Sequence, residues 1–381
     1  MKVNLARKMN GIKPSDIRRL FDLAQGMPGV ISLGIGEPDF GTPDHIREAA
    51  KRAIDEERIC YTPNAGIAAL REALADKYGR EGMVYDSSSE VLITAGATEA
   101  VSTAILGHVK TGDEVIVPDP AFLIYTPLVQ LAGGTPKYLP LLAEDGYRFD
   151  ADRLAEQVNK KTRMIVVNYP CNPTGMTMGT SDLRAIAEIA EDNGTILLSD
   201  EVYDRLTFDG KRHVSMGTIT DNAIVINSFS KTYAMTGFRV GYALGRRELI
   251  GPMLRVHQFN VASLTVPSQH AALAAATGPD DCVEHMCAEY EARRNLLVRE
   301  LDNLQGVSYL VPEGAFYFYL DVSDTGMTGL EFSERMLKEA LVVVVPGNAF
   351  GDVGHHHVRI SYAASSERLM EACERMRHVL E

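Results

Sequence analysis

The chain has 381 residues, of which 45% are hydrophobic and 23% charged, and a net charge of -13; these are values for a folded globular protein long enough to hold two domains. The acidic balance, with no run of five basic residues, argues against nucleic acid as a partner. The amino terminus MKVNLARKMNGIKPSDIRRL has no apolar signal region and no segment approaches about 18 uncharged apolar residues, so neither secretion nor a membrane partner is signalled and a cytoplasmic location is expected.

In chain order, the middle of the sequence alternates strand and helix patterns. EVLIT (90–94) precedes the helical TEAVSTAILGHV, DEVIVP (113–118) runs into a Pro-rich turn, and TRMIVVN (162–168) precedes TSDLRAIAEIAEDNG. TILLSD, AIVINS and VGYALG follow as further apolar runs. Short apolar strands with helices between them predict a largely parallel sheet covered on both faces. The last third changes texture: a long charged helix (282–304), then GAFYFYLDV, a helix, LVVVVPG, HVRISYA and a final helix. That pattern predicts a smaller α+β unit. The five cysteines, Cys60, Cys171, Cys282, Cys287 and Cys373, are scattered and odd in number, so they read as reduced thiols.

In open sheets of this kind ligands sit beyond the carboxyl ends of the strands, so the residues after each apolar run carry the functional reading. After VLIT comes AGATEA, where Gly96, Ala97 and Thr98 either open a helix toward an anion or form an ordinary turn with Thr98 as a cap. After MIVVN comes YPCNPTG, a turn stiffened by Pro170 and Pro173 that offers the amide of Asn172. After TILLS comes DEVY. Asp200 there is either an N-cap or a carboxylate buried against a cation, with Tyr203 three residues on. After AIVIN comes SFSKTYAMTGFR, in which Ser228, Ser230 and Arg239 suit a phosphate and Lys231, dehydrated at a strand end, suits an amine nucleophile.

These motifs carry a resemblance. From ISLGIGEPDFGTP through YTPNAGIAALREAL, TAGATEA, DPAFLIY, NYPCNPTG, SDEVYDRLTF and SFSKTYAMTGFRVGY to PEGAFYFYLDV and HVRISYA, the chain resembles the fold-type I, class I pyridoxal-phosphate aminotransferases. The resemblance implies that Lys231 forms the internal aldimine and moves the proton at the substrate Cα. It implies that Asp200 pairs with the pyridinium nitrogen, and that Asn172 and Tyr203 bond the ring phenolic oxygen. Gly96, Ala97, Thr98, Ser228, Ser230 and Arg239 are the implied phosphate cradle, Phe122 the ring-stacking aromatic, and Tyr61 the tyrosine reaching a neighbouring subunit's phosphate in a homodimer with shared sites. Arg359, with Asn172 and Gly36, is the implied grip on the substrate α-carboxylate.

The same resemblance implies an N-terminal arm joined to the small domain over 1–41, a large cofactor-binding domain over 42–277 and a small C-terminal domain over 278–381. The opening SDIRRLFDLA…ISLGIGEPDF looks closest to archaeal members acting on aspartate or aromatic amino acids, with 2-oxoglutarate as acceptor. Ser15, Arg18 and Arg255 are candidates for a second carboxylate, with Asp16 opposing them, and Ile17, Phe21 and Tyr61 for an apolar pocket. HHH at 355–357 invites a metal reading, but neighbouring residues point apart and no acidic partner follows, so it is read as a polar loop with no metal. A pyridoxal-phosphate β-lyase would keep Lys231 and Asp200. A dinucleotide-dependent oxidoreductase is disfavoured because Pro38 and Asp39 replace the helix-opening residues after GIG. A pyridoxal-phosphate regulator would need a DNA-binding module for which residues 1–13 are too few.

Overall fold

The computed structural model describes residues 26–56 and 59–381. The candidates Ser15, Asp16, Ile17, Arg18 and Phe21, and most of the 1–41 segment, lie outside the described residues. The strands in chain order are β1 (Ile31–Ser32), β2 (Val91–Thr94), β3 (Glu114–Asp119), β4 (Thr135–Pro140), β5 (Thr162–Asn168), β6 (Ile196–Asp200), β7 (Ala223–Ser228) and β8 (Gly241–Leu244). The later ones are β9 (Ser308–Tyr309), β10 (Tyr317–Asp321), β11 (Val342–Val343), β12 (Val345–Pro346) and β13 (His357–Ser361).

Seven strands form one sheet in the order β2-β8-β7-β6-β5-β3-β4. The pairs from β7 to β4 are parallel, and β8 runs antiparallel to both β2 and β7. Consecutive residues of a strand face opposite sides, yet here both sets are apolar. Met164 and Val166 pack with Leu198, Ile226 and the helices Ala97–His108 and Arg247–Asn260 on one face. Ile165 and Val167 pack with Leu183 and Ile186 of the helix Thr180–Asp192 on the other. Two-sided burial is why β5, β6 and β7 read as continuous apolar runs. Each fully buried Val, Leu or Ile there contributes about 1.5–3 kcal/mol.

The edge strand β4, TPKYLP, was missed by the sequence reading because only Leu139 of its six residues is buried. An edge strand needs little apolar surface, so it leaves no hydrophobic run.

Register sets the chemistry. Asn168 stands beside Asp200, and Asp200 beside Ile226, so the parallel strands β5, β6 and β7 all end at one rim.

The carboxy-terminal unit is a four-stranded antiparallel sheet, order β12-β13-β10-β9, packed against the helices Asp281–Leu301 and Ser366–Leu380. Phe316, Phe318, Leu320, Ile360, Leu297, Leu369 and Met376 form its core, and Tyr203, Leu206 and Phe208 of the middle segment pack into it. The amino-terminal strand β1 joins the same unit by pairing parallel with β11. The Leu33 carbonyl also accepts from the Ser361 N–H at 2.7 Å, which brings residues 34–37 over the rim of the large sheet. No helix among the described residues is long and apolar enough to cross a membrane.

Candidate active site

A cavity of about 520 Å³ opens at the carboxyl ends of β5, β6 and β7, between that rim and the segment Gly34–Gly36. Lining it are Gly36, Ala97, Thr98, Phe122, Asn172, Asp200, Tyr203, Ser228, Ser230, Lys231, Arg239 and Arg359. Of the site residues expected from sequence, Gly96 adjoins this wall, while Tyr61 does not line it and is 89% exposed.

Gly96 is the N-cap of the helix Ala97–His108, at φ 78°, with no side-chain cap. Thr98 is therefore inside the helix and is not its cap. The helix leaves its first N–H groups, those of Ala97 and Thr98, without intrahelical carbonyls, and these face the cavity with the positive end of the dipole. Glu99 braces the turn: one carboxylate oxygen accepts from the Ala95 N–H and the other lies 2.7 Å from Nδ1 of the buried His257. Opposite, Ser228 caps the short helix Phe229–Thr232, accepting from the Ser230 N–H at 3.1 Å, with its hydroxyl also 2.8 Å from the Ser230 hydroxyl. Arg239, in a left-handed conformation at φ 54°, lies at the exposed mouth and donates to the carbonyls of Thr236 and Ala95. Backbone donors, hydroxyls and a guanidinium around one space suit a phosphate.

Asp200 ends β6 and is no N-cap. It is 4% exposed, and its carboxylate accepts from the Tyr125 hydroxyl at 2.7 Å and the Val202 N–H at 3.4 Å. Burial pushes its pKa up to about 6, against the lowering effect of those two donors. A carboxylate this dry needs a cation beside it to stay ionised at neutral pH, and a protonated ring nitrogen in the cavity would be one.

Lys231 is partly open to the cavity and donates from Nζ to the Gly36 carbonyl at 2.6 Å. Dehydration lowers its pKa to about 8, Glu37 opposes that shift, and Arg359 and Arg239 add to it. The result is an amine within reach of its neutral, nucleophilic form near neutrality.

Arg359 lies on β13 and is 5% exposed. Its Nη1 donates to Asn172 Oδ1 at 2.8 Å and its Nη2 to the Gly34 carbonyl at 2.7 Å, while Nε is buried without a partner. Burial lowers its pKa from the usual arginine value. The Asn172 N–H in turn donates to Asn168 Oδ1 at 3.2 Å, and the Asn168 amide to the Asp200 carbonyl at 3.0 Å. The chain Arg359–Asn172–Asn168–Asp200 ties the guanidinium to the rim. A guanidinium that uses two of its five N–H donors on these partners keeps three with which to bind a carboxylate in the cavity.

The sequence reading missed four residues here. Tyr125 stands three positions after Phe122 and their rings pack edge to face; Asn168 closes the apolar run of β5; the rings of Tyr317 and Phe350 both pack against the Arg359 guanidinium, 4.3 Å and 4.9 Å from centroid to carbon. His357 is a correction to the reading of HHH as a polar loop. It begins β13, stacks on Tyr319 at 4.7 Å and lies 3.0 Å from the Tyr147 hydroxyl, because its side chain falls on the packed face of the strand. Arg255 does not line the cavity. Among the described residues no three His, Cys, Asp or Glu side chains cluster as metal ligands would.

Pyridoxal phosphate fits these residues: the amine, the uncompensated carboxylate and the anion cradle are the three groups its aldehyde, ring nitrogen and phosphate require. Residues 28–376 match the family described as "Aminotransferase class I and II". The chain is 42% identical to aromatic-amino-acid aminotransferase 2 of Thermococcus litoralis, over 99% of this chain and 98% of that protein. It is 44% identical to an aspartate aminotransferase of Pyrococcus horikoshii, over 100% of this chain and 98% of the relative. The structure of Thermus thermophilus aspartate aminotransferase with maleate superposes with a TM-score of 0.95 at 37% identity, covering 100% of both chains.

Proposed function

The chain belongs to the aminotransferase class I and II family, and on that premise we propose that it moves the amino group of an aromatic amino acid or aspartate to 2-oxoglutarate with pyridoxal phosphate. The observation that carries the reading is the pairing, in one cavity, of a dehydrated amine at Lys231 with a dehydrated carboxylate at Asp200. Pyridoxal phosphate supplies an aldehyde that condenses with amines and a ring that accepts the electron pair left when a Cα–H bond breaks.

The residues divide that work. Ala97, Thr98, Ser230 and Arg239 would hold the phosphate, with Gly96 leaving room for the Arg239 guanidinium and Ser228 orienting Ser230. Phe122 flanks the ring. Asp200, held by Tyr125, would keep the ring nitrogen protonated, and Asn172 and Tyr203 would bond the phenolic oxygen of the ring. Arg359, Asn172 and the Gly36 segment orient the substrate by its α-carboxylate. Lys231 is the amine that would hold the cofactor, and its Nζ is the base that would take the proton from the substrate Cα. The segment Gly34–Gly36, which walls the cavity beside Lys231, would shield that transfer from water.

For the donor, the cavity cations among the described residues are Lys231, Arg239 and Arg359, each engaged as above. The rest of the wall includes Ile35, Val101, Phe122 and Leu123, and this apolar character favours an aromatic side chain over a second carboxylate. We take residues 42–277 as the large domain, 278–381 as the small one, and the amino-terminal segment as part of the latter, as the pairing of β1 with β11 supports. A homodimer is proposed on the exposure of Tyr61 at 89%, Phe259 at 85% and Ile59 at 57%. Ile59 and Tyr61 lie on one loop and Phe259 in the last turn of the helix Arg247–Asn260, and the two segments meet where Asn64 donates to the Ala262 carbonyl; Tyr61 would then complete the partner's phosphate cradle. Five unpaired cysteines support a cytoplasmic setting.

The test is product analysis with L-phenylalanine, L-tyrosine, L-aspartate or L-glutamate as the donor, supplied with 2-oxoglutarate or, for glutamate, a 2-oxo acid. Formation of the matching amino and 2-oxo acids, absent with Lys231→Ala, is expected. Ammonia release with an α,β-eliminated product would move the reading to a β-lyase.

A further inference from the structure

Tyr317 touches three groups of the proposed site: Tyr203, Arg359 and Gly36. It opens β10 and is 1% exposed. Its hydroxyl lies 2.8 Å from the Tyr203 hydroxyl. Its ring lies against the Arg359 guanidinium, 4.3 Å from centroid to carbon. A methyl group built on Gly36 would sit 2.6 Å from its hydroxyl oxygen, so the bare backbone at Gly36 and the hydroxyl at Tyr317 are a matched pair. Resting on the aminotransferase reading, we infer that Tyr317 is a positioning residue: its hydroxyl fixes and polarises Tyr203, and its ring sets the plane of Arg359.

A phenol has one proton. If Tyr203 spends its own on the phenolic oxygen of the cofactor, it can still accept one, and Tyr317 is the donor placed to supply it. Hydrogen bonds in such a chain strengthen one another in a dry site. Tyr203 thereby becomes a better donor and favours the anionic form of the ring oxygen. Burial holds both hydroxyls in their protonated form. The charged groups acting on the pair are Asp200 and Arg359, those acting on Lys231 are Glu37, Arg359, Arg239 and Asp200, and a phenylalanine at position 317 leaves all of them in place. The ring does separate work. The guanidinium has two N–H bonds to Asn172 and Gly34, and stacking on a flat face fixes the rotation that those bonds leave free.

The two halves are separable by substitution in the holoenzyme, read by the visible absorbance of the bound cofactor against pH and by steady-state kinetics. Tyr317→Phe removes the hydroxyl and keeps the ring. It is expected to move the spectral midpoint up by about half a unit, in the same direction as Tyr203→Phe and by less, with the donor KM within about twofold of wild type. The double variant should shift no further than Tyr203→Phe alone, because the Tyr317 hydroxyl acts through Tyr203. Tyr317→Leu, which also removes the stacking face, should raise the donor KM about tenfold more. A Tyr317→Phe midpoint equal to wild type, or a double variant whose shift is the sum of the two, would overturn the inference. Wild-type protein with no cofactor absorbance at any pH would overturn the aminotransferase reading itself, a result distinct from a titrating wild type and an unmoved variant.

Discussion

Tyr125 donates its hydroxyl proton to Asp200 Oδ2 at 2.7 Å, and both side chains are buried. The donor stabilises the carboxylate but does not neutralise it, so burial still dominates and holds the pKa up at about 6. The folded protein without cofactor therefore binds more protons at Asp200 than the unfolded chain does between about pH 4 and pH 6. Stability present below that window is lost as pH rises through it. Asp200→Asn should remove this loss, raising the Tm of the cofactor-free protein at pH 8 while flattening its pH dependence between pH 4 and 6. The same variant should lower transamination by at least about 10³-fold, since an amide cannot keep the ring nitrogen protonated. Thermal scans of the cofactor-free protein at several pH values check the first part, and kcat the second.

Lys231 has its pKa lowered to about 8. Capture of the cofactor aldehyde needs the neutral amine, so the rate of pyridoxal-phosphate uptake should rise with pH and level off above about pH 8. A solvated lysine would keep the rate rising toward its ordinary pKa. Stopped-flow absorbance on cofactor-free protein distinguishes the two profiles.

Arg359 bridges Asn172 and Gly34 with two separate nitrogens. Arg359→Lys keeps the charge and loses the fork, so Asn172 Oδ1 or the Gly34 carbonyl loses its donor and the substrate carboxylate loses a bidentate partner. KM for the amino donor should rise about 100-fold, roughly 3 kcal/mol, with a smaller change in kcat and an unchanged circular dichroism spectrum.

Gly96 combines a φ of 78° with the Arg239 guanidinium packed where a side chain would begin. Gly96→Ala strains the turn and pushes Arg239 from the cradle, at a cost of about 1–2 kcal/mol. The expected outcome is at least about tenfold weaker cofactor binding, measured by fluorescence titration of the cofactor-free protein.

Legibility followed sequence distance. Asp200, Asn172, Ser228, Ser230 and Lys231 were visible because each follows an apolar run that must be a buried strand, and the register of β5, β6 and β7 places those ends at one rim. Tyr317 was not visible, since its partners Tyr203 and Arg359 come from other elements and its own run, GAFYFYLDV, reads only as a strand. Tyr125 was hidden the same way, its partner lying on another strand. The pairing of β1 with β11 involves two residues on each side, too short for any periodic signal. The β4 edge and the packed His357 were misread because pattern reports polarity, whereas burial on one side of a strand is decided by what packs there.

On the proposed function, Lys231 is the residue that carries the cofactor. Borohydride reduction of the holoenzyme followed by peptide mass mapping tests it directly. The account predicts a single reduced pyridoxyl group on the peptide containing Lys231, with none in Lys231→Ala; a label on another lysine, or holoenzyme with no reducible cofactor, would contradict it.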